Sequence, residues 1–258
     1  MNSYQISLIA FSIIFGCALL GFLLQSFIPR DHLTGDSKDA VKLGAGLLAT
    51  MAALVLGLMV SSAKGTFDSV NLQISNGAAM DMHLEHVLKQ YGPETAQIRS
   101  ELRTSISNRL RDIWPEEMSD PKAQAAAGMD DRIQGTSLER MKSMIADLKP
   151  ATLLQGKLQD TAFNILHEIE RERYSVEALA TGNLSMFLIF IPVVWIAALT
   201  LIYSTLAARN LTVVSVLFIC SLSIAASIFL IFEMSTPLDG TIKVSSAPLR
   251  KMIKEIEN

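Results

Sequence analysis

The stretch that most constrains the fold is residues 43–91, which the sequence predicts to be one helix that begins in a membrane and continues beyond it. Residues 43–63 contain no ionisable side chain, and at about 1.5 Å of rise per residue they are long enough to span a hydrocarbon core of roughly 30 Å. Apolar residues then continue at helical spacing to Tyr91, with no proline before Gly92-Pro93. This helix therefore links a membrane region to a soluble one.

Three further apolar runs complete a predicted set of four transmembrane helices. They cover residues 6–28, 184–206 and 211–232, beside the 43–63 segment, and a short polar loop is predicted at residues 30–42 between the first two spans. The first run has no basic leader and no small-residue cleavage site, so we expect it to be retained and not removed as a signal peptide. Half of the residues are hydrophobic and 18% are charged, which agrees with an integral membrane protein. The predicted fold class is all-α.

A soluble helical stalk domain is predicted at residues 64–183, between the second and third membrane helices. Its apolar residues recur at helical intervals, and no strand-like alternation appears in the sequence. A loop is predicted at residues 116–135, and a C-terminal tail at 233–258. Because amphipathic stalks need a surface to cover their apolar stripes, we expect a homo-oligomer.

Several function classes are disfavoured by what the sequence lacks. A net charge of −3 gives no reason to expect a nucleic-acid partner. The cores of the four apolar runs carry no Asp, Glu, Lys, Arg or His, which argues against a proton pump or a charge-coupled transporter. No nucleophile elbow, phosphate loop or paired catalytic carboxylates can be found, so we expect neither an enzyme nor a cofactor.

Two histidines of the stalk domain have a spacing that also occurs in metal sites. His83 and His86 lie three apart on a predicted helix, and further acidic or histidine ligands are available at Asp81, Glu85 and His167. Such spacing occurs in metal sites, but a solvated helix face gives the same pattern more often. We therefore expect no bound metal.

The small and polar residues of the second membrane helix form one stripe, at spacings of four, three, four and four: Gly46, Thr50, Ala53, Gly57 and Ser61. Close helix packing is the favoured interpretation, because small residues let backbones approach each other in lipid. The alternative is a pore-facing stripe in an oligomer, with Lys64 and Asp68 at the pore mouth. Both interpretations hold if the packed helices surround a pore.

The arrangement of four membrane helices with a large insert between the second and third resembles a bacterial family of membrane proteins called bestrophin-like. Similar segments occur at residues 56–63 with Phe67-Asp68, at Trp114-Pro115, at Arg171-Glu172-Arg173, and at 191–195 and 237–245. Two positions depart from the family pattern. Leu238 stands in a turn that is usually Pro-Phe-x-Gly, and Asn76-Gly77 replaces a typical Glu-Ala.

The resemblance implies an oligomeric ion channel, for an anion and in a pentamer if bestrophins proper are followed. Alternatives are a non-conducting membrane anchor or sensor whose helical domain binds a protein partner, and a stator-like subunit, which would need an acidic membrane partner. The resemblance also places the protein in the inner (plasma) membrane, with the central domain and both termini cytoplasmic. Basic residues in the two short connections favour the opposite orientation: Arg30, Lys38, Lys42 and Arg209.

Overall fold

The computed structural model describes residues 2–27, 35–115, 131–180, 186–238 and 240–257 of the chain. Within these ranges the regular secondary structure is helical throughout, which confirms the predicted all-α fold. The α-helices are α1 (Ser3–Leu24), α2 (Gly35–Tyr91), α3 (Ala96–Ile113), α4 (Asp131–Ala146), α5 (Leu153–Ala180), α6 (Met186–Leu206), α7 (Leu211–Ser235) and α8 (Ala247–Glu257).

Helix α2 is unbroken over 57 residues, which corresponds to about 85 Å at the usual rise per residue. It begins at Gly35, so the expectation that residues 35–42 belong to a loop is wrong. Asp36 lies in the first turn, where a carboxylate interacts favourably with the helix dipole. Lys42 pairs with Asp39 one turn earlier at 3.1 Å. The polar residues of this segment therefore mark a solvated helical turn.

The C-terminal end of α2 lies where the sequence predicts it. Gly92 has a φ of +137°, a backbone conformation that glycine adopts readily and other residues rarely do. A short 3-10 turn follows at Pro93–Thr95, and its last residue donates a hydrogen bond from Thr95 Oγ1 to Leu88 O at 2.6 Å. Glycine and this side-chain bond together end the helix.

The chain divides into two compact units. The first contains residues 1–67 and 182–242, and the second contains residues 68–181 and 243–258. The tail that the sequence sets apart at residues 233–258 is thus shared between them. Helix α2 contributes its N-terminal part to the first unit and its C-terminal part to the second.

In the first unit, α1 packs against α6 and α7. The approach to α6 is close at Gly21, where a Cβ atom would lie 2.6 Å from the backbone oxygen of Leu201 and 3.0 Å from Ser204 Cβ. The same pair of helices is joined by Thr200 Oγ1, which donates to Ile14 O at 3.1 Å. The core of this unit consists of apolar side chains: Ala10, Ile14, Ala52, Met59, Ala63, Ile189, Val193, Ile196, Ile228 and Ile231.

Four helices of the described chain are long and apolar enough to cross a membrane: α1, α2, the Leu188–Leu206 part of α6, and α7. This confirms the prediction of four apolar membrane helices, while the bounds of the spans stay predictions. Many of their large apolar side chains are exposed, among them Leu8, Leu47, Leu54, Phe190 and Leu222. Apolar surface on this scale requires lipid or another protein surface to cover it, so the protein is a membrane protein.

In the second unit, α3 packs against α4 and α8, and α4 packs against α5. The buried residues include helically spaced positions that the sequence predicts to be apolar stripes: Leu84, Leu88, Ile98, Leu102, Ile106, Met141, Ile145, Ile165 and Ile169. Helix α4 begins at Asp131, so the end of the predicted loop at 116–135 is helical. The rest of that loop, residues 116–130, lies outside the described residues.

The segment before α8 is held by the end of α3. Trp114 is 2% exposed, and its Nε1 donates a hydrogen bond to Val244 O at 2.8 Å. Lys243 Nζ donates to Ile113 O at 3.2 Å. The tryptophan of the Trp114-Pro115 pair is thus a buried anchor for the C-terminal segment.

Candidate functional site

The candidate pore residues of α2 lie on a face that their own chain leaves largely uncovered. Gly46 is half-buried, whereas Thr50, Ala53, Gly57 and Ser61 are exposed. The buried side of this part of α2 consists of Ala45, Ala52, Met59 and Ala63. At 100° per residue, the centre of the small-residue stripe lies about 135° around the helix from the centre of that buried side.

Packing within the chain does not explain the glycines of the stripe. A Cβ atom added at Gly46 or Gly57 would meet nothing within 4 Å. Close packing, the favoured interpretation of the sequence, therefore applies to these residues only if another chain covers the stripe. Lys64 and Asp68, the candidate mouth residues, are exposed as well. The site residues remain predictions.

The stripe offers oxygen acceptors without fixed charge. Thr50 Oγ1 donates its hydrogen to Leu47 O at 2.7 Å within α2, so the hydroxyl oxygen is left to accept from water or to contact a cation. No ionisable residue lies within the 43–63 segment. An ion next to this face would therefore meet neutral groups only.

A second polar feature is buried in the other unit, on the continuation of α2. Asp81 is fully buried and accepts a hydrogen bond from Arg109 Nη2 at 2.6 Å. One turn further on, Glu85 is 3% exposed and accepts from Arg99 Nε at 2.8 Å and from Arg103 Nη2 at 3.3 Å. Both carboxylates of α2 are thus neutralised by arginines of α3.

Helix α5 adds a half-buried arginine to this layer. Arg173 Nη2 lies 3.4 Å from Ser105 Oγ of α3. The pKa of Arg173 is lowered to about 10, chiefly by burial and also by the nearby positive charge of Arg109, while Asp81 and Glu172 oppose the shift. We call Asp81, Arg109, Glu172 and Arg173 the ionic layer.

Glu172 occupies space that Gly77 leaves open. A Cβ atom at Gly77 would lie 2.9 Å from Glu172 Oε2. The pKa of Glu172 is raised to about 6, chiefly by burial and also by the negative charge of Asp81. Arg109, a hydrogen bond from the Gly77 backbone and Arg173 oppose the rise. The Asn76-Gly77 departure noted in the sequence therefore coincides with a carboxylate supplied by α5.

The candidate metal ligands are not brought together. His83 and His86 are exposed on α2, whereas Asp81 and Glu85 are buried and paired with arginines. His167 lies on α5, 3.7 Å from Glu170. Within the part of the chain that the structure describes, no group of three or more His, Cys, Asp or Glu side chains is arranged to hold a metal ion.

The end of α7 is stabilised by another buried carboxylate, Glu233. Its Oε2 accepts hydrogen bonds from the backbone N–H groups of Thr241 at 2.5 Å and Ile242 at 3.0 Å. A Cβ atom at Gly240 would lie 2.7 Å from the same oxygen. Glu233 therefore fixes the turn that follows the last membrane helix, and Gly240 provides the space for it.

The fold is that of an all-α membrane protein, and four helices within its described residues are long and apolar enough to span a membrane. One of them, α2, continues from the membrane unit into the second helical unit. A family model described as "Bestrophin-like domain" matches residues 12–249. The chain therefore belongs to the Bestrophin-like family, as the sequence motifs had indicated. A comparison with curated proteins gives no match.

Solved structures share the fold at low sequence identity. A variant of a bacterial bestrophin homolog from Klebsiella pneumoniae is 18% identical with a TM-score of 0.66, over 97% of this chain and 95% of that one. A crystal structure described as a membrane protein is 15% identical with a TM-score of 0.63, over 97% and 96% of the two chains. A second such structure is 17% identical with the same TM-score, over 97% and 94%. These likenesses show the fold alone.

Proposed function

We propose that the protein is a homo-oligomeric ion channel of the inner (plasma) membrane, in which α2 lines the conducting path. The observation that carries the proposal is the small-residue stripe of α2, which lies on a face that its own chain leaves largely uncovered. A stripe of this kind suits a path that several copies of α2 form around a common axis. Membership of the Bestrophin-like family and the fold of the bacterial bestrophin homolog support the same function.

The stripe supports weak ion selectivity. With no fixed charge from residue 43 to residue 63, discrimination must come from the width of the path and from charges at its ends. Lys64 and Asp68, which follow the 43–63 segment along α2, are the candidates at one end. Anion conduction by a pentamer follows from the family resemblance and is part of this proposal.

Conduction is tested by replacing Gly57 with leucine and measuring ion flux and oligomer mass on the same preparation. In the proposed channel, Gly57→Leu fills the path and stops flux from liposomes while the oligomer stays intact. The matched control is Gly44→Leu, since Gly44 is also an exposed α2 glycine with nothing within 4 Å of an added Cβ. It lies about 140° around the helix from Gly57, so flux should be retained.

The other interpretations predict different results. If the stripe only packs against another copy, the Gly57→Leu side chain separates the helices and the oligomer dissociates first. A non-conducting anchor or sensor gives no flux from the unmodified protein. An intact Gly57→Leu oligomer with unchanged flux would remove α2 from the path.

The proposed orientation places both termini and the second unit in the cytoplasm. Four spans put both termini on one side of the membrane, and the family resemblance selects the cytoplasmic side. The basic residues of the short connections favour the reverse, so a direct measurement is needed. We expect a cytoplasm-specific reporter fused after Asn258 to be active, and activity of a periplasm-specific reporter alone would contradict the orientation.

A further inference from the structure

We propose that the ionic layer of the second unit contains a binding site for a small monovalent anion such as chloride, held by Arg109 and Arg173 and opposed by the ionised carboxylate of Glu172. The site lies on residues 68–181 and is separate from the α2 stripe of the first unit. It does not depend on the proposed conduction.

The arginines of the layer have more buried hydrogen-bond donors than the protein satisfies. Arg109 Nε, Arg173 Nε and Arg173 Nη1 are buried without a hydrogen-bond partner among the described residues. Asp81 Oδ1 is the corresponding acceptor left over in the layer. Buried polar groups are almost always partnered, so a group that accepts hydrogen bonds from both arginines is expected here.

The charges of the layer allow an anion when Glu172 is protonated. With both carboxylates ionised, Asp81 and Glu172 balance Arg109 and Arg173, and the layer is neutral. With Glu172 protonated, the layer has a net charge of +1, which one monovalent anion neutralises. Because burial raises the pKa of Glu172 to about 6, this change of charge occurs close to neutral pH.

A monovalent anion suits the layer better than water or a phosphate. Water brings two hydrogens of its own into a place where N–H donors already exceed acceptors, whereas chloride only accepts. A phosphate dianion would exceed the single positive charge available, and an unbalanced buried charge is strongly unfavourable. Chloride is also spherical, so it can contact donors from two different helices without a fixed orientation.

The coupling to Glu172 sets the expected pH dependence. If the anion binds only when Glu172 is protonated, with its pKa at about 6, chloride affinity at pH 7.5 is about 25-fold weaker than at pH 5.5. The groups facing Glu172 are Asp81 on α2, Arg109 on α3 and Arg173 on α5.

The binding test measures line broadening of the chloride NMR signal in the presence of the full-length protein in detergent. Gluconate replaces chloride in the buffer so that the ionic strength stays constant. We expect excess broadening that saturates with chloride at pH 5.5. The chloride affinity derived from this titration should be about 25-fold weaker at pH 7.5. Arg173→Gln should abolish the broadening. Arg171→Gln should not, since Arg171 is two residues away on α5 and exposed. Equal broadening in a folded Arg173→Gln protein would overturn the proposal.

A second pair of variants keeps the test decisive if Arg173→Gln does not fold. Glu172→Gln removes the competing charge, so chloride affinity at pH 7.5 should rise to the value that the unmodified protein has at pH 5.5. Glu168→Gln, an exposed position on the same helix, should keep the original pH dependence. Unchanged pH dependence in Glu172→Gln, or no saturable broadening in the unmodified protein because water alone fills the layer, would overturn the proposal. Absence of ion flux would leave this result unaffected and bear on conduction alone.

Discussion

The close approach of α1 and α6 predicts that Gly21→Ala destabilises the membrane unit. The new methyl carbon would lie 2.6 Å from Leu201 O and 3.0 Å from Ser204 Cβ, and both distances are well inside van der Waals contact. The serine hydroxyl can rotate away, but the carbonyl oxygen belongs to the backbone of α6. The two helices must therefore move apart or shift.

The size of the effect follows from two opposing contributions. Overpacking of a well-packed contact typically costs about 1–3 kcal/mol, and replacing glycine by alanine in a helix returns up to about 1 kcal/mol. Gly16→Ala on α1 supplies the control, because a Cβ there meets nothing within 4 Å. Helix propensity cancels between the two variants, so Gly21→Ala should be less stable than Gly16→Ala by roughly 1–3 kcal/mol.

The assay is unfolding of purified protein in mixed micelles as the fraction of denaturing detergent rises, followed by circular dichroism. Gly21→Ala should unfold at a lower fraction of denaturing detergent than the original protein, and Gly16→Ala at the same fraction or a higher one. If the two variants unfold together, α1 does not approach α6 at Gly21 as described, and the argument from this contact fails.

Three further predictions concern other buried contacts. Trp114→Phe removes the hydrogen bond to Val244 O and should lower the free energy of unfolding by about 1 kcal/mol. A protease should then release the C-terminal segment faster, as followed by mass spectrometry. Gly240→Ala places a methyl group 2.7 Å from Glu233 Oε2 and should lower the thermal unfolding temperature by an overpacking cost of about 1–3 kcal/mol; no change would refute the role of that turn. The pKa of Glu172 is raised to about 6 in the folded protein, so its contribution to stability is greatest below the unfolded pKa of about 4.3 and is lost as pH rises through about 6. After allowance for the partial exposure of the carboxyl group this loss is at most about 1 kcal/mol; the difference in unfolding free energy between Glu172→Gln and the unmodified protein, measured in gluconate, should change by that amount over this pH range, and a difference independent of pH would refute it.

Much of the fold was predictable from the sequence because hydrophobic periodicity is a strong signal in long helices. The four spans and the end of α2 at Gly92-Pro93 were predicted directly. The start of α2 was not, since residues 35–42 are polar and a solvated helical turn has the same composition as a loop. Only the helical pairing of Asp39 with Lys42 points the other way, and it is a weak signal.

The ionic layer was missed for a different reason. Arginines on an amphipathic helix usually lie in solvent, and nothing in the local sequence shows that Arg109 and Arg173 are turned inward. The available signal was Asp81 and Glu85, which interrupt the apolar face that also contains Leu84 and Leu88. In the sequence these carboxylates stand beside His83 and His86 and suggest metal ligands, but both histidines lie at the surface.

The exposure of the α2 stripe also could not be predicted from the sequence. Spacing alone places Gly46, Thr50, Ala53, Gly57 and Ser61 on one face, but it does not say whether the chain's own helices cover that face. The structure supplies this, because Ala52, Met59 and Ala63 on the other side of α2 belong to the buried core that includes residues of α1, α6 and α7. What covers the stripe in the membrane is the question on which the function depends.

The most direct test of an α2-lined path is to put a charge on it and measure the reversal potential in planar bilayers under a tenfold KCl gradient. Ser61→Asp should shift the potential toward that of potassium and Ser61→Lys toward that of chloride, the two limits lying about 59 mV on either side of zero. Ser62 is the matched control, since it is the next exposed serine and lies 100° around the helix. Opposite shifts at Ser61 with none at Ser62 are the result the account predicts. Intact currents with an unshifted potential in both Ser61 variants would contradict it.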